Sequence, residues 1–184
     1  MRTADSLPDY RPFRRSGKGV IFTHTDGTSV FVRGLGPADI RAYGAHLLRL
    51  SSEDRRARFN ATLTDSGIQR HVDRLGWSET LLFGVYVDGV LRGAAEFIEI
   101  RKSRDCEIAL SVETAYQHHA IGRILMATLL VCGSLLGLER MKLYFRNDNV
   151  QMRNLAREFG ARMTPSPDFV EAEITTSRTE IVTA

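Results

Sequence analysis

Apolar residues recur along this chain with two periods, two and three-to-four, that alternate in blocks. Residues 20–24 and 29–33 are rich in β-branched and aromatic side chains and flank Asp26-Gly27, so they predict an antiparallel hairpin. Pro37 suits a first helical turn, and Ile40, Tyr43, Leu47 and Leu48 then share one face, which predicts a helix running to about Leu50. Ser51 with Asp54 resembles a capping box with the shorter acid and opens an arginine-rich helix through Phe59. A third helix, near Ser66 to Leu75, places Ile68, Val72 and Leu75 on one side. Residues 81–87 and 90–100 surround Asp88-Gly89 and predict a second hairpin, to which residues 106–112 add a strand after a charged turn.

From Ala120 to Leu138 apolar residues occur nearly all round the helical wheel, so this helix is expected to be buried or almost so. Residues 141–145 form the next strand. Because a helix intervenes, a parallel right-handed crossover beside the strand of Glu107 is the economical topology. Asn149 caps a further helix whose Met152, Leu155, Ala156 and Phe159 share a face, and Gly160 ends it. Residues 169–174 alternate as a last strand. The reading is a single domain over residues 19–176, with a loose basic arm at 1–18 and a frayed tail at 177–184. Its class is α/β (α+β), with a mixed, mostly antiparallel sheet flanked by helices.

Composition narrows the classes. At 184 residues, 43% of them hydrophobic, the chain can bury a core without staples. Cys106 and Cys132 lack both zinc-ligand spacing and disulfide density, which reads as buried reduced thiols and favours the cytoplasm. No apolar run approaches the roughly 18 residues of a membrane span. The net charge of +3 is accounted for by five cations and two acids within residues 1–20, so neither nucleic acid nor membrane is an expected partner. A monomer or a homodimer is expected.

Candidate chemistry concentrates at residues 112–126, a strand end, a tight turn and the start of the long helix. A helix N-terminus leaves backbone N–H groups without intrahelical partners and carries partial positive charge, so it suits a phosphate. Here Gln117, His118, His119, Ala120, Ile121 and Gly122 resemble the pyrophosphate-binding loop of the GNAT superfamily of acyl-CoA-dependent N-acetyltransferases, except that Ala120 stands where the family has its first glycine. Asn149, Met152, Leu155 and Gly160 resemble a second family motif, with the glycine eleven residues after the asparagine. The element order from about residue 29 to 176 is similar to the GNAT fold, with an extra N-terminal hairpin strand. Residues 50–53 with Arg58-Phe59, and 106–112, look like the acetyltransferase domain of bacterial Pat-type protein lysine acetyltransferases.

The resemblance implies acetyl-CoA as co-substrate and no metal. It assigns the pyrophosphate to backbone N–H groups from His118 to Gly122, flanked by Gln117 and Arg123. It assigns the pantetheine arm to backbone groups of Leu110, Ser111 and Val112, and gives Asn149 either a cofactor contact or a helix cap. Transfer to an amine needs a base to deprotonate the ammonium. Glu107, in an otherwise apolar strand, fits that role by desolvation and falls where Pat-type relatives place their glutamate; the plainer reading pairs it with Arg92, Arg104 or another cation on the sheet face. Glu96 and Glu99 are lesser candidates, against a solvated edge. Ala156 occupies the position of the usual general-acid tyrosine, leaving Tyr144 or Tyr116 as substitutes. The expected function is acetyl transfer to a primary amine, preferably a protein lysine, by direct transfer in a ternary complex. The alternatives are a catalytically weak acyl-CoA-binding module and a small-molecule amine acetyltransferase. Residues 51–75 and 162–170 are the expected acceptor walls.

Overall fold

The computed structural model describes residues 19–23, 29–77, 80–99, 104–117 and 119–176. The basic arm, the Asp26-Gly27 turn, His118 and the tail lie outside the described residues. Eight strands form one sheet: β1 (Gly19–Thr23), β2 (Ser29–Leu35), β3 (Thr80–Val87), β4 (Val90–Glu99), β5 (Asp105–Val112), β6 (Arg140–Arg146), β7 (Arg162–Pro165) and β8 (Phe169–Thr175), in the order β1-β2-β3-β4-β5-β6-β8-β7. The β3–β4 turn uses φ of 49° at Asp88 and 73° at Gly89, the doubly left-handed geometry that an Asp-Gly pair favours.

Among the described residues five α-helices flank this sheet: α1 (Ile40–Arg49), α2 (Ser52–Phe59), α3 (Asp65–Asp73), α4 (Ile121–Leu135) and α5 (Val150–Glu158). Alternation along the strands feeds two cores. On one face Phe97, Ile108, Leu110 and Phe145 pack with Leu125, Met126 and Leu129 of α4 and with Ala156 of α5. On the other, Leu35, Leu82, Leu91 and Ala94 pack with Tyr43 and Leu47 of α1 and with Ile68 and Val72 of α3.

The one parallel pairing among the described residues, β5 with β6, is the pairing predicted, but it covers only Asp105 to Glu107 against Arg140 to Lys142. Beyond Glu107 the two strands part. β5 stays paired to β4 through Val112, and β6 to β8 through Arg146. The sheet therefore forks, and α2 packs against both β5 and β6.

Three expectations need correction. The helix after Pro37 begins with a short 3-10 turn, Pro37–Asp39, before α1 proper. Strand β7 was not expected, because its four residues include Pro165, which only a sheet edge tolerates. Helix α4 is not buried all round: Ala127, Val131 and Leu135 are exposed, along with Arg123. A helix lying on a sheet presents one side to it, so an apolar wheel does not determine burial.

Candidate active site

The fork opens into a cavity of about 470 Å³. Leu110, Ser111 and Val112 of β5 form one wall, α2 supplies Asp54, Ala57 and Arg58, the turn into α4 supplies Gln117 and residues 120–123, and α5 supplies Met152, Leu155 and Glu158 behind Asn149. All the described residues expected to hold a cofactor line it except His119, which is exposed on the turn.

At the turn, Ala120 is the N-cap of α4, with φ 57° and ψ 3°. Alanine thus adopts the left-handed conformation that a glycine would adopt without strain. The first bond of the helix runs from Ile124 N–H to the Ala120 carbonyl, so the N–H groups of Ile121, Gly122 and Arg123 precede the ladder at the cavity wall. A left-handed alanine costs about 1–2 kcal/mol, and glycine returns part of that as unfolded-chain entropy. Ala120→Gly is therefore expected to raise stability by up to about 1 kcal/mol, read from denaturant melts.

The Gln117 side chain ties the turn down. Its Nε2 donates to Asp54 Oδ1 at 2.7 Å and to the Val112 carbonyl at 3.2 Å. Asp54 also accepts from the Ser51 hydroxyl at 2.7 Å and from the Thr114 hydroxyl. The Ser51 side chain caps α2 as expected, accepting from Asp54 N–H at 3.0 Å. The carboxylate, however, is spent on bridging α2 to the turn into α4, which local spacing cannot reveal. Asn149 is a helix cap, its Oδ1 accepting from Met152 N–H at 3.0 Å. Arg123 is held by Glu158 at 2.9 Å across the rim.

Glu107 sits at the last paired rung of the fork, opposite Lys142 on β6 and Ile98 on β4. Arg92 and Arg104 are engaged elsewhere, with Glu113 and Glu139 respectively. Lys142 lies 3.6 Å from Glu171 and 3.9 Å from Glu173. Tyr144, two residues further on the same face of β6, packs edge-on against Phe169. Burial, with Glu171 nearby, raises its phenol pKa, so it is protonated at neutral pH. Neither Glu107 nor Tyr144 lines the cavity itself. Tyr116 lies on the other side of the turn, with the Arg92 guanidinium 4.6 Å above its ring. Ala156 is fully buried.

Glu96 is not on a solvated edge. It is 4% exposed and ion-paired with Arg58 of α2, beside fully buried Tyr43 and with His71 Nε2 at 4.0 Å. Burial lowers the His71 pKa, so that ring is neutral.

A second buried network closes the far end of β5. Glu113 accepts from Arg49 Nε at 2.8 Å and Arg92 at 2.9 Å, and its Oε1 lies 3.2 Å from His46 Nδ1. Burial disfavours the Glu113 carboxylate, but the hydrogen bonds from His46, Arg49 and Arg92 outweigh it and hold the pKa at about 2. Because the folded value is depressed, this stabilisation is present above the ordinary carboxylate range and is lost as pH falls toward 2. A Glu113→Gln variant is expected to lose about 2–3 kcal/mol at neutral pH, and the gap to the natural protein should close in acid melts. The sequence carried one signal for this network, a histidine on the apolar face of the first helix.

Among the described residues no cluster of metal-ligating side chains is present, and no helix is long and apolar enough to cross a membrane. Both cysteines are buried and are not joined in a disulfide.

Comparison with solved structures places the architecture. The GNAT domain of Streptomyces lividans PAT superposes with a TM-score of 0.74 over 88% of this chain and 99% of that one, at 15% identity. Spermidine N-acetyltransferase from Vibrio cholerae, solved with CoA and spermine, gives 0.66 over 81% and 96%, at 19% identity. The cAMP-binding acyltransferase of Mycobacterium smegmatis gives 0.61 at 19% identity; 91% of this chain is covered, and it spans 50% of that longer protein. Residues 46–161, from α1 to just past α5, match the model of the acetyltransferase (GNAT) family. With that match spanning the fork, the turn into α4 and the capped α5, the chain belongs to the GNAT family of acetyltransferases.

Proposed function

We propose that this chain moves an acetyl group from acetyl-CoA to the side-chain amine of a protein lysine, by direct transfer while both substrates are bound. The observation that carries the reading is the fork: β5 leaves β6 immediately after Glu107, and the gap leads to a cavity lined by the α4 N-terminus. Backbone groups of Leu110 to Val112 that face the gap have no strand beside them on that side and suit the amide-bearing arm of coenzyme A. The N–H groups of Ile121 to Arg123 suit its pyrophosphate.

Glu107, at the apex of the fork, takes the proton from the incoming ammonium. Tyr144, protonated at neutral pH, returns a proton to the departing thiolate, a role closed to Ala156. On that side of β6 acids and cations interleave, Lys142 standing opposite Glu107 and near Glu171 and Glu173, and Glu173 also lying 4.0 Å from Arg140. Likeness to the PAT domain supports a lysine of a protein, and likeness to the spermidine enzyme supports a polyamine as a second reading. Two buried cysteines that form no disulfide fit a reducing compartment, the cytoplasm.

Calorimetry with coenzyme A, followed by thiol release from acetyl-CoA against lysine peptides, lysine-bearing proteins and spermidine, tests this. Binding with turnover on lysine substrates supports the reading. Turnover on spermidine alone selects the second one, and binding with no turnover on any amine reduces the protein to an acyl-CoA-binding module.

A further inference from the structure

A serine of the cavity wall, a histidine and a glutamate stand in line, the last two behind that wall. Ser111 Oγ lies 2.9 Å from His46 Nε2, and His46 Nδ1 lies 3.2 Å from Glu113 Oε1. His46 comes from α1, Ser111 from the end of β5 and Glu113 from the residue just after it, so only folding assembles them. His46 is fully buried, whereas Ser111 lines the cavity and keeps 8% of its surface exposed.

The hydrogen bonds fix the tautomer. Burial first, and then the charges of Arg49 and Arg58, keep the imidazole neutral against the pull of Glu113. A neutral imidazole has one N–H and one acceptor nitrogen, and a carboxylate can only accept. Nδ1 therefore carries the hydrogen and donates to Glu113, and Nε2 accepts from the Ser111 hydroxyl. Two arginines lock Glu113 in its ionised form, so it holds the ring in that tautomer and is ready to balance an imidazolium. This is the order of groups by which a histidine takes the proton of an attacking serine.

We propose that Ser111, with His46 as its base and Glu113 as the positioning carboxylate, gives this protein an amine-independent acyl-CoA hydrolase activity. The inference rests on the reading of the cavity as an acyl-CoA site. Ser111 Oγ bonds to the thioester carbonyl carbon as its proton passes to His46 Nε2. The tetrahedral adduct collapses, the C–S bond breaks, and His46 returns the proton to sulfur, leaving an acyl ester on Ser111. Water then attacks the ester carbonyl and gives a proton to His46. Collapse expels Ser111 Oγ, which takes that proton back as the carboxylic acid leaves. Thioester and water become acid and thiol, with no further reactant.

The experiment incubates the protein with acetyl-CoA and no amine and follows thiol release, acid-quenched intact mass and coenzyme A calorimetry on each variant. The natural protein should release thiol, and Ser111→Ala and His46→Gln should each slow that release roughly a hundredfold. Ser111→Cys should trap one acetyl group as a thioester at that position, because the weaker base requirement of a thiol favours its acylation. Natural protein that binds coenzyme A yet releases no thiol without amine overturns the proposal. So does Ser111→Ala that binds coenzyme A and releases thiol at the natural rate. Failure of the natural protein to bind coenzyme A defeats the underlying reading of the cavity instead.

Discussion

Glu107→Gln is expected to lower the rate of acetyl transfer by about 10²–10⁴-fold near neutral pH, the usual contribution of a positioned general base. Glutamine keeps the size and hydrogen-bonding reach of the side chain but cannot take a proton. Glu107 stands at the last rung before β5 and β6 part, so the change falls at the apex of the fork and leaves the cavity-lining residues in place. Coenzyme A affinity should be nearly unchanged while turnover falls. Because the lost function is deprotonation, raising the pH should recover part of the rate as more acceptor amine is already neutral. Steady-state kinetics across the alkaline range, with calorimetric binding alongside, check this. Full turnover in the variant at neutral pH would remove Glu107 from the mechanism.

The second large effect concerns stability. Arg58→Met is expected to cost about 3–5 kcal/mol, because it leaves the carboxylate of Glu96 buried without its partner. Glu96 is 4% exposed on β4, and its ion pair with Arg58 joins α2 to the sheet. The remaining neighbours are poor substitutes. Tyr43 is buried and kept protonated, first by burial and then by Glu96, and His71 is neutral. In the variant His71, at 4.0 Å from Glu96, becomes the nearest group able to supply positive charge, so the deficit should shrink as pH falls and the ring protonates. Replacing both partners with apolar residues should restore most of the stability, since the penalty is for the orphaned charge and not for the missing attraction. Denaturant melts of the single and double variants at two pH values decide it. Arg58 also lines the cavity, so coenzyme A binding should weaken together with stability.

Much of the site was legible because its parts are local. The turn into α4 joins a strand directly to a helix, and the sequence Gln117 to Gly122 announces it without long-range contacts. Asn149 and Gly160 punctuate α5 by cap chemistry, and the structure realises both, with the asparagine accepting from Met152 and the glycine at φ 73°. The departure at Ala120 was visible as well. Its consequence was not, since residue type does not reveal whether the backbone yields to the alanine or the alanine to the backbone. Here the alanine takes the left-handed conformation.

What escaped the sequence are pairings between elements far apart in the chain. Asp54 reads as a helix-capping residue and becomes the clamp on Gln117, 63 residues away. Glu96 reads as an edge carboxylate and becomes a buried partner of α2. His46, on an otherwise apolar helix face, meets Ser111 and Glu113 only after α1 is laid across the sheet.

The sequence by itself determined the order of elements, the hairpin at Asp88-Gly89, the parallel pairing of β5 with β6, the strand-to-helix turn into α4 and the family, because each follows from periodicity, turn chemistry or motif spacing over short stretches. Only the tertiary structure decided where β5 leaves β6, which carboxylates are paired, and which polar side chains share the wall of the cavity. Those depend on sheet pairing and on how helices pack across it, where a partner is chosen by position in space rather than by distance along the chain.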